Sequence, residues 1–165
     1  MAPAARYSRP NSLSDTVVGM KPYFYDDPDP DILAGWLRSQ RARVEAYLES
    51  EGVQHRGVSA DPDWYIAPCL AIWSVKSNAN PASVGWWAIS GAVPTDHISS
   101  AEIHTARDAL RQISSRWSDV AAKMVQGEAD LGAQRVVTDQ QKQLGQLILV
   151  RARLLGEFAE NDDNW

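Results

Sequence analysis

The chain has 165 residues, 44% of them hydrophobic, and a formal net charge of -5. That length and apolar content fit one globular domain with a self-sufficient core. The acidic balance disfavours nucleic acid, because a grip on phosphates needs clustered Lys and Arg to displace counterions. The single cysteine, Cys69, rules out an intramolecular disulfide and makes a reducing cytoplasm the default expectation.

The N-terminal stretch to about residue 28 mixes Pro, Ser and Asp and reads as a disordered or loosely docked tail. It has no apolar core of the length a secretory signal needs. The triplet Tyr23, Phe24 and Tyr25 within residues 22–28 is a candidate to pin that tail to the domain, since three exposed rings are unfavourable in water. No apolar run reaches the ~20 residues of a membrane-spanning helix, so a membrane partner is not expected.

A first helix is predicted to start at Asp29 to Asp31, with Pro30 in its first turn and acidic side chains at its positive end. Leu33, Trp36, Leu37, Val44, Tyr47 and Leu48 recur at helical spacing, and Gly52 ends the element. Residues 53–62 carry turn formers without a period and read as a loop. Residues 64–77 are predicted as a buried strand; because Pro68 cannot donate to a ladder, either this part of it is an edge or regular pairing begins at about Cys69. Residues 84–90 form its antiparallel partner across the 78–83 loop, with Gly85 at a bulge or a close backbone contact.

Ala106, Ala109, Leu110, Ile113, Trp117, Val120, Ala121 and Met124 hold the strictest helical period in the chain. A polar connection over 127–139 leads to a last helix with Leu144, Leu147, Ile148, Leu154, Leu155 and Phe158 expected on its buried face. Residues 161–165 read as a frayed acidic end. The expected fold class is α+β: a small antiparallel sheet, the hairpin of about 64–77 and 84–90, packed by three amphipathic helices in a single domain over 29–160.

The turn from Ser90 to His97 places a hydroxyl, a carboxylate and an imidazole at a strand end, where functional groups often sit. Ser90, Asp96 and His97 are therefore catalytic candidates for a hydrolase or transferase. The nucleophile elbow and oxyanion signature are missing, and the alternative is that Thr95 or Asp96 caps a short helical turn while Gly91 takes a positive φ. His55, His97 and His104 with Asp96 or Glu102 lack zinc-site spacing, so neither a metal nor another cofactor is expected. Cys69 inside an apolar run reads as a small buried hydrophobe.

Arg151 lies four residues from both Leu147 and Leu155, inside an apolar stripe. Burial would demand an acceptor, with Asp96, Glu102 or a carbonyl of the 94–96 turn as candidates. The alternatives are that it snorkels to the helix edge or binds a ligand carboxylate. Of the tryptophans, Trp86 and Trp87 must point to opposite sheet faces. Trp36, Trp64 and Trp87, with Thr95, Asp96 and Arg151, are the candidate binding residues for a partner.

The stretches WYIAPCLAIWSVKS (residues 64–77) and GWWAISGAVPTD (residues 85–96) resemble those of an uncharacterised bacterial family of small cytoplasmic proteins, a domain of unknown function. The resemblance covers about residues 32–165 and implies no activity. In that family an acidic residue often follows the Ser-Gly pair, where this chain has Ala92. The leading functional expectation is an acidic protein-binding domain, for example an immunity-type inhibitor that captures a basic bacterial toxin. The alternatives are the enzyme above and a structural homo-oligomer joined through an exposed sheet face.

Overall fold

The computed structural model describes residues 29–126 and 138–165. The expected tail over 1–28, with its aromatic triplet, and most of the polar connection after residue 126 lie outside the described residues. The described residues up to Ala109, together with Asp163–Trp165, form one compact unit; those of Leu110–Asp162 form another.

The first unit opens with α1 (Pro30–Ser50). Its start follows the sequence: Asp29 is the N-cap, its carboxylate accepts the Asp31 N–H at 2.9 Å, and Pro30 occupies the first turn. Gly52 follows the helix with φ of 69°, a left-handed conformation open to glycine without penalty.

Five antiparallel strands follow: β1 (His55–Val58), β2 (Trp64–Ile66), β3 (Leu70–Ser77), β4 (Val84–Gly91) and β5 (Asp96–Ser99). Their order is β1-β3-β4-β5, and β2 also pairs with β3. The expected hairpin is the centre of this sheet, with Trp73 opposite Ala88 and Val75 opposite Trp86. Three details differ from the sequence reading. Residues 64–77 are two strands, because the chain reverses at Ala67–Cys69: Ile66 pairs with Leu70, the Cys69 N–H bonds the Ile66 carbonyl at 2.7 Å, and the Ala67–Pro68 peptide is cis. The supposed loop 53–62 contains β1, whose four residues HRGV are too short for a period to be read. The residues after the Ser90–Thr95 turn form β5 and not a helical cap. Gly85 sits at the expected close approach, where a Cβ would lie 2.7 Å from Ser77 Cα.

Alternation along β3 and β4 gives the sheet two buried faces. Ala71, Trp73, Val75 and Ala88 cluster with Val44 and Leu48 of α1 and with Val58, while Trp36, Tyr47, Tyr65 and Trp86 pack at the margin. Leu70, Ile72, Trp87 and Ile89 point the opposite way and are also buried.

The second unit is a pair of helices, α2 (Ala106–Gln126) and α3 (Asp139–Glu160). Thr105 caps α2, accepting the Asp108 N–H at 3.1 Å, and Thr138 with Gln141 forms a reciprocal capping box on α3. The two run antiparallel: Gly145 lies against Ala121 and Met124, Ser114 donates to the Ala152 carbonyl at 2.8 Å, and Arg111 meets Glu160 at 2.7 Å.

The contact face of α3 is not the one expected from its largest residues. Gly145, Ala152, Leu155, Phe158 and Ala159 are buried, whereas Leu144 and Leu147 point to solvent; Val120 of α2 is exposed too. Small residues let two helix backbones approach closely, so glycine and alanine mark the seam and the leucines are displaced from it. The C-terminus, expected to be frayed, forms a 3-10 turn over Asp162–Asn164, and Trp165 stacks on Trp64.

Candidate functional site

The catalytic candidates separate once the strands are in place. Ser90 is on β4 opposite Ala71 and has no exposed surface. Its hydroxyl accepts the indole N–H of Trp73 at 3.1 Å, so it acts as a buried acceptor within the core. A nucleophile must reach substrate and a base, and Ser90 meets neither condition.

Asp96 and His97 do meet, through a residue that the sequence reading placed only on the apolar face of the first helix. Tyr47 of α1 places its hydroxyl 3.4 Å from Asp96 Oδ1 and 3.4 Å from His97 Nδ1. The imidazole lies edge-on between Tyr47 and Trp86, at centroid distances of 5.6 and 5.4 Å. Asp96 Oδ1 also accepts the His97 backbone N–H at 2.8 Å, which satisfies the donor at the start of the outer strand. Arg43, one turn before Tyr47, donates to the Gly91 carbonyl at 3.1 Å. These contacts fasten α1 to the end of the sheet. Tyr47 and Arg43 carried no readable signal for this role, because their targets are 48 or more residues away in sequence. Thr95 caps nothing: its hydroxyl is buried with no hydrogen-bond partner among the described residues.

The histidines do not converge as a triad. His55 is on β1 and His97 on β5, three strand spacings or about 14 Å apart across the sheet. His55 Nδ1 accepts the Gly57 N–H at 3.0 Å, and His104 is exposed. Among the described residues no group of three His, Cys, Asp or Glu is placed to hold a metal ion. Cys69 is half-buried, and burial pushes its thiol above the ordinary value.

The candidate binding tryptophans are distributed and largely covered. Trp87 is buried and donates to the Ile103 carbonyl at 3.0 Å. Trp64 is half-buried, donates to the Asn164 carbonyl at 2.6 Å and stacks on Trp165 at 5.0 Å, with the Arg107 guanidinium 5.9 Å from the Trp165 ring. Trp36 is half-buried against Tyr65 at 6.4 Å. Arg151 belongs to α3 and is half-buried.

The exposed large apolar residues concentrate on α3. Leu144, Leu147 and Val150 retain 50, 55 and 53% of their surface. At 100° per residue, positions 144, 147 and 150 span an arc of about 120° on one side of the helix. Gln140 and Gln143 fall within the same arc and are exposed. From Gln143 to Val150 the chain has no ionisable residue. Arg151, half-buried and four residues after Leu147, falls within that arc too. Loss of the seam to small residues concealed this face from the periodicity, which assigned these leucines to the core.

The arrangement is thus that of an α+β protein in which Ser90, Asp96 and His97 are each engaged by neighbours in the fold, while Leu144, Leu147 and Val150 are exposed on one helix face. Its residues 31–165 match the family model described as Domain of unknown function (DUF4826), and the chain belongs to that family. No curated protein and no solved structure matches it. No helix among the described residues is long and apolar enough to cross a membrane.

Proposed function

We propose that this chain is a protein-interaction domain and that its contact surface is the exposed face of α3. One observation carries the reading: three large apolar side chains, each about half exposed, lie side by side on one face of α3. Such a face gains by being covered, whereas scattered single apolar residues need no partner. Of the groups that motivated an enzyme, the hydroxyl joins β4 to Trp73 of β3, and the carboxylate and imidazole of β5 meet Tyr47 of α1.

Inhibition of a basic toxin is a narrower form of this reading, supported by the net charge of -5. The α3 face gives it no support, because Glu157 and Glu160, the exposed acids on the C-terminal part of the helix, lie outside the uncharged stretch. Work in a reducing cytoplasm is consistent with a lone, partly buried thiol.

The test is a pair of pull-downs from the source cell, one with the native chain and one with Leu144→Glu and Leu147→Glu combined. Both substitutions are at exposed positions and Glu is a good helix former, so the fold is retained. Capture by the native chain and loss in the double variant supports the reading. Equal capture by both places the contact elsewhere.

A further inference from the structure

We propose that His97 is a proton-accepting site of this chain, holding its own hydrogen on Nδ1 and accepting at Nε2, with Tyr47 and Asp96 as its positioning residues. The inference does not depend on the α3 surface. It follows from counting hydrogens where α1 meets β5.

The count starts at the backbone. Asp96 Oδ1 accepts the His97 backbone N–H at 2.8 Å, which fixes this oxygen as an acceptor. The Tyr47 hydroxyl lies 3.4 Å from that same oxygen and 3.4 Å from His97 Nδ1, and it has one hydrogen to give. Equal lengths do not choose its direction, but charge does. A hydrogen bond to a carboxylate is roughly twice as strong as one between neutral groups, and the reverse order would set a hydroxyl lone pair against that carboxylate. With the Tyr47 hydrogen on Asp96, the phenolic oxygen faces Nδ1 as an acceptor. Nδ1 must then carry a hydrogen, since two lone pairs would otherwise meet.

The consequence falls at the other end of the ring. Neutral imidazole has one N–H, so Nε2 keeps the lone pair and is the atom that takes up a proton. A group that binds there has to be a donor: a hydroxyl, an ammonium or an N–H. When Nε2 gains a proton, no bond in the chain from His97 through Tyr47 to Asp96 has to break, and the positive ring is linked through Tyr47 to a carboxylate. Among the described residues, Tyr47 of α1 and Trp86 of β4 flank the ring, Ala88 lies opposite it on β4, and Asp96 precedes it on its own strand. Of these, Asp96 is the group charged at neutral pH. Arg43, the cation one turn earlier on α1, directs a guanidinium nitrogen at the Gly91 carbonyl.

Long-range proton–nitrogen correlation NMR on the full chain reads the tautomer. At a pH where His97 is neutral, the expected result is a protonated signature at Nδ1 and a lone-pair signature at Nε2. Tyr47→Phe keeps a ring packed against His97 and removes the acceptor, so the Nε2–H form should appear. In Asp96→Asn an amide oxygen still accepts but the charge is gone, and His97 should titrate at lower pH than in the native chain. A contact that served packing alone would move neither readout. An Nε2–H signature in the native chain overturns the proposal without recourse to any variant. An Nδ1–H signature undiminished in Tyr47→Phe overturns the part given to Tyr47, and an unchanged titration in Asp96→Asn overturns that of Asp96.

Discussion

Replacing Gly145 with alanine and replacing Gly35 with alanine are the same chemical change in the interior of a helix, and the structure assigns them opposite signs. Alanine in place of glycine favours a helix by about 1 kcal/mol, chiefly by restricting the unfolded chain. At Gly35 in α1 an added Cβ meets nothing within 4 Å, so the whole gain should be realised. At Gly145 the Cβ would lie 2.9 Å from Met124 Cβ, 3.0 Å from Val125 Cγ2 and 3.1 Å from the Ala121 carbonyl oxygen. Carbon atoms pack best at about 3.5–4.0 Å, so α2 and α3 would have to part by several tenths of an ångström. Overpacking of this kind costs about 1–3 kcal/mol, which exceeds the helix gain. We expect Gly35→Ala to raise unfolding stability by about 1 kcal/mol, and Gly145→Ala to lower it by about 1 kcal/mol, the difference between those opposing effects. Urea titration followed by tryptophan emission measures both. Stabilisation by Gly145→Ala equal to that at Gly35 would refute the close seam between α2 and α3, and with it the reason why Leu144 and Leu147 face outward.

Three further substitutions test other joints. Ser90→Ala leaves the buried Trp73 indole N–H without its acceptor and should lower stability by about 1–3 kcal/mol in the same titration; no change would mean that this bond is not formed. Trp165→Ala removes the ring stacked on Trp64, worth about 1 kcal/mol beyond the area it covers. It should also shift emission to the red as Trp64 meets water, and an unchanged spectrum would contradict the contact. Burial raises the Cys69 thiol, so the unfolded chain gives up this proton at lower pH than the folded one. The native state then holds more protons above the ordinary thiol value, and stability must fall as pH rises through that range. Comparing native chain and Cys69→Ala across alkaline pH should show the larger decline in the native chain, and identical slopes would refute the shift.

Where the determinants are local, the sequence could be read. Asp29 and Pro30 announce the start of α1, the strict period from Ala106 to Met124 marks α2, and the two apolar runs around residues 78–83 pair as written. The misreadings share a physical cause. β1 and β5 have four residues each, and β2 has three, too short for alternation to emerge. The role of Ser90 depends on Trp73, its partner across the hairpin, and that of Asp96 and His97 on Tyr47, about fifty residues earlier. On the first half of α3 the rule that large apolar residues face inward failed, because Gly145 forms the close face there, whereas Leu155 and Phe158 are buried as expected. The outward leucines that this left are the candidate site, so the largest error in the periodicity coincides with the strongest functional feature.

The most direct measurement is methyl NMR of the full chain as the protein it captures from the source cell is added. The account predicts that resonances of Leu144, Leu147 and Val150 move progressively while those of Val44, Leu48 and Leu155, buried in the two units, stay fixed. Resonances on α3 that are invariant on that addition, or movement confined to residues around Trp36 and Tyr65, would contradict it.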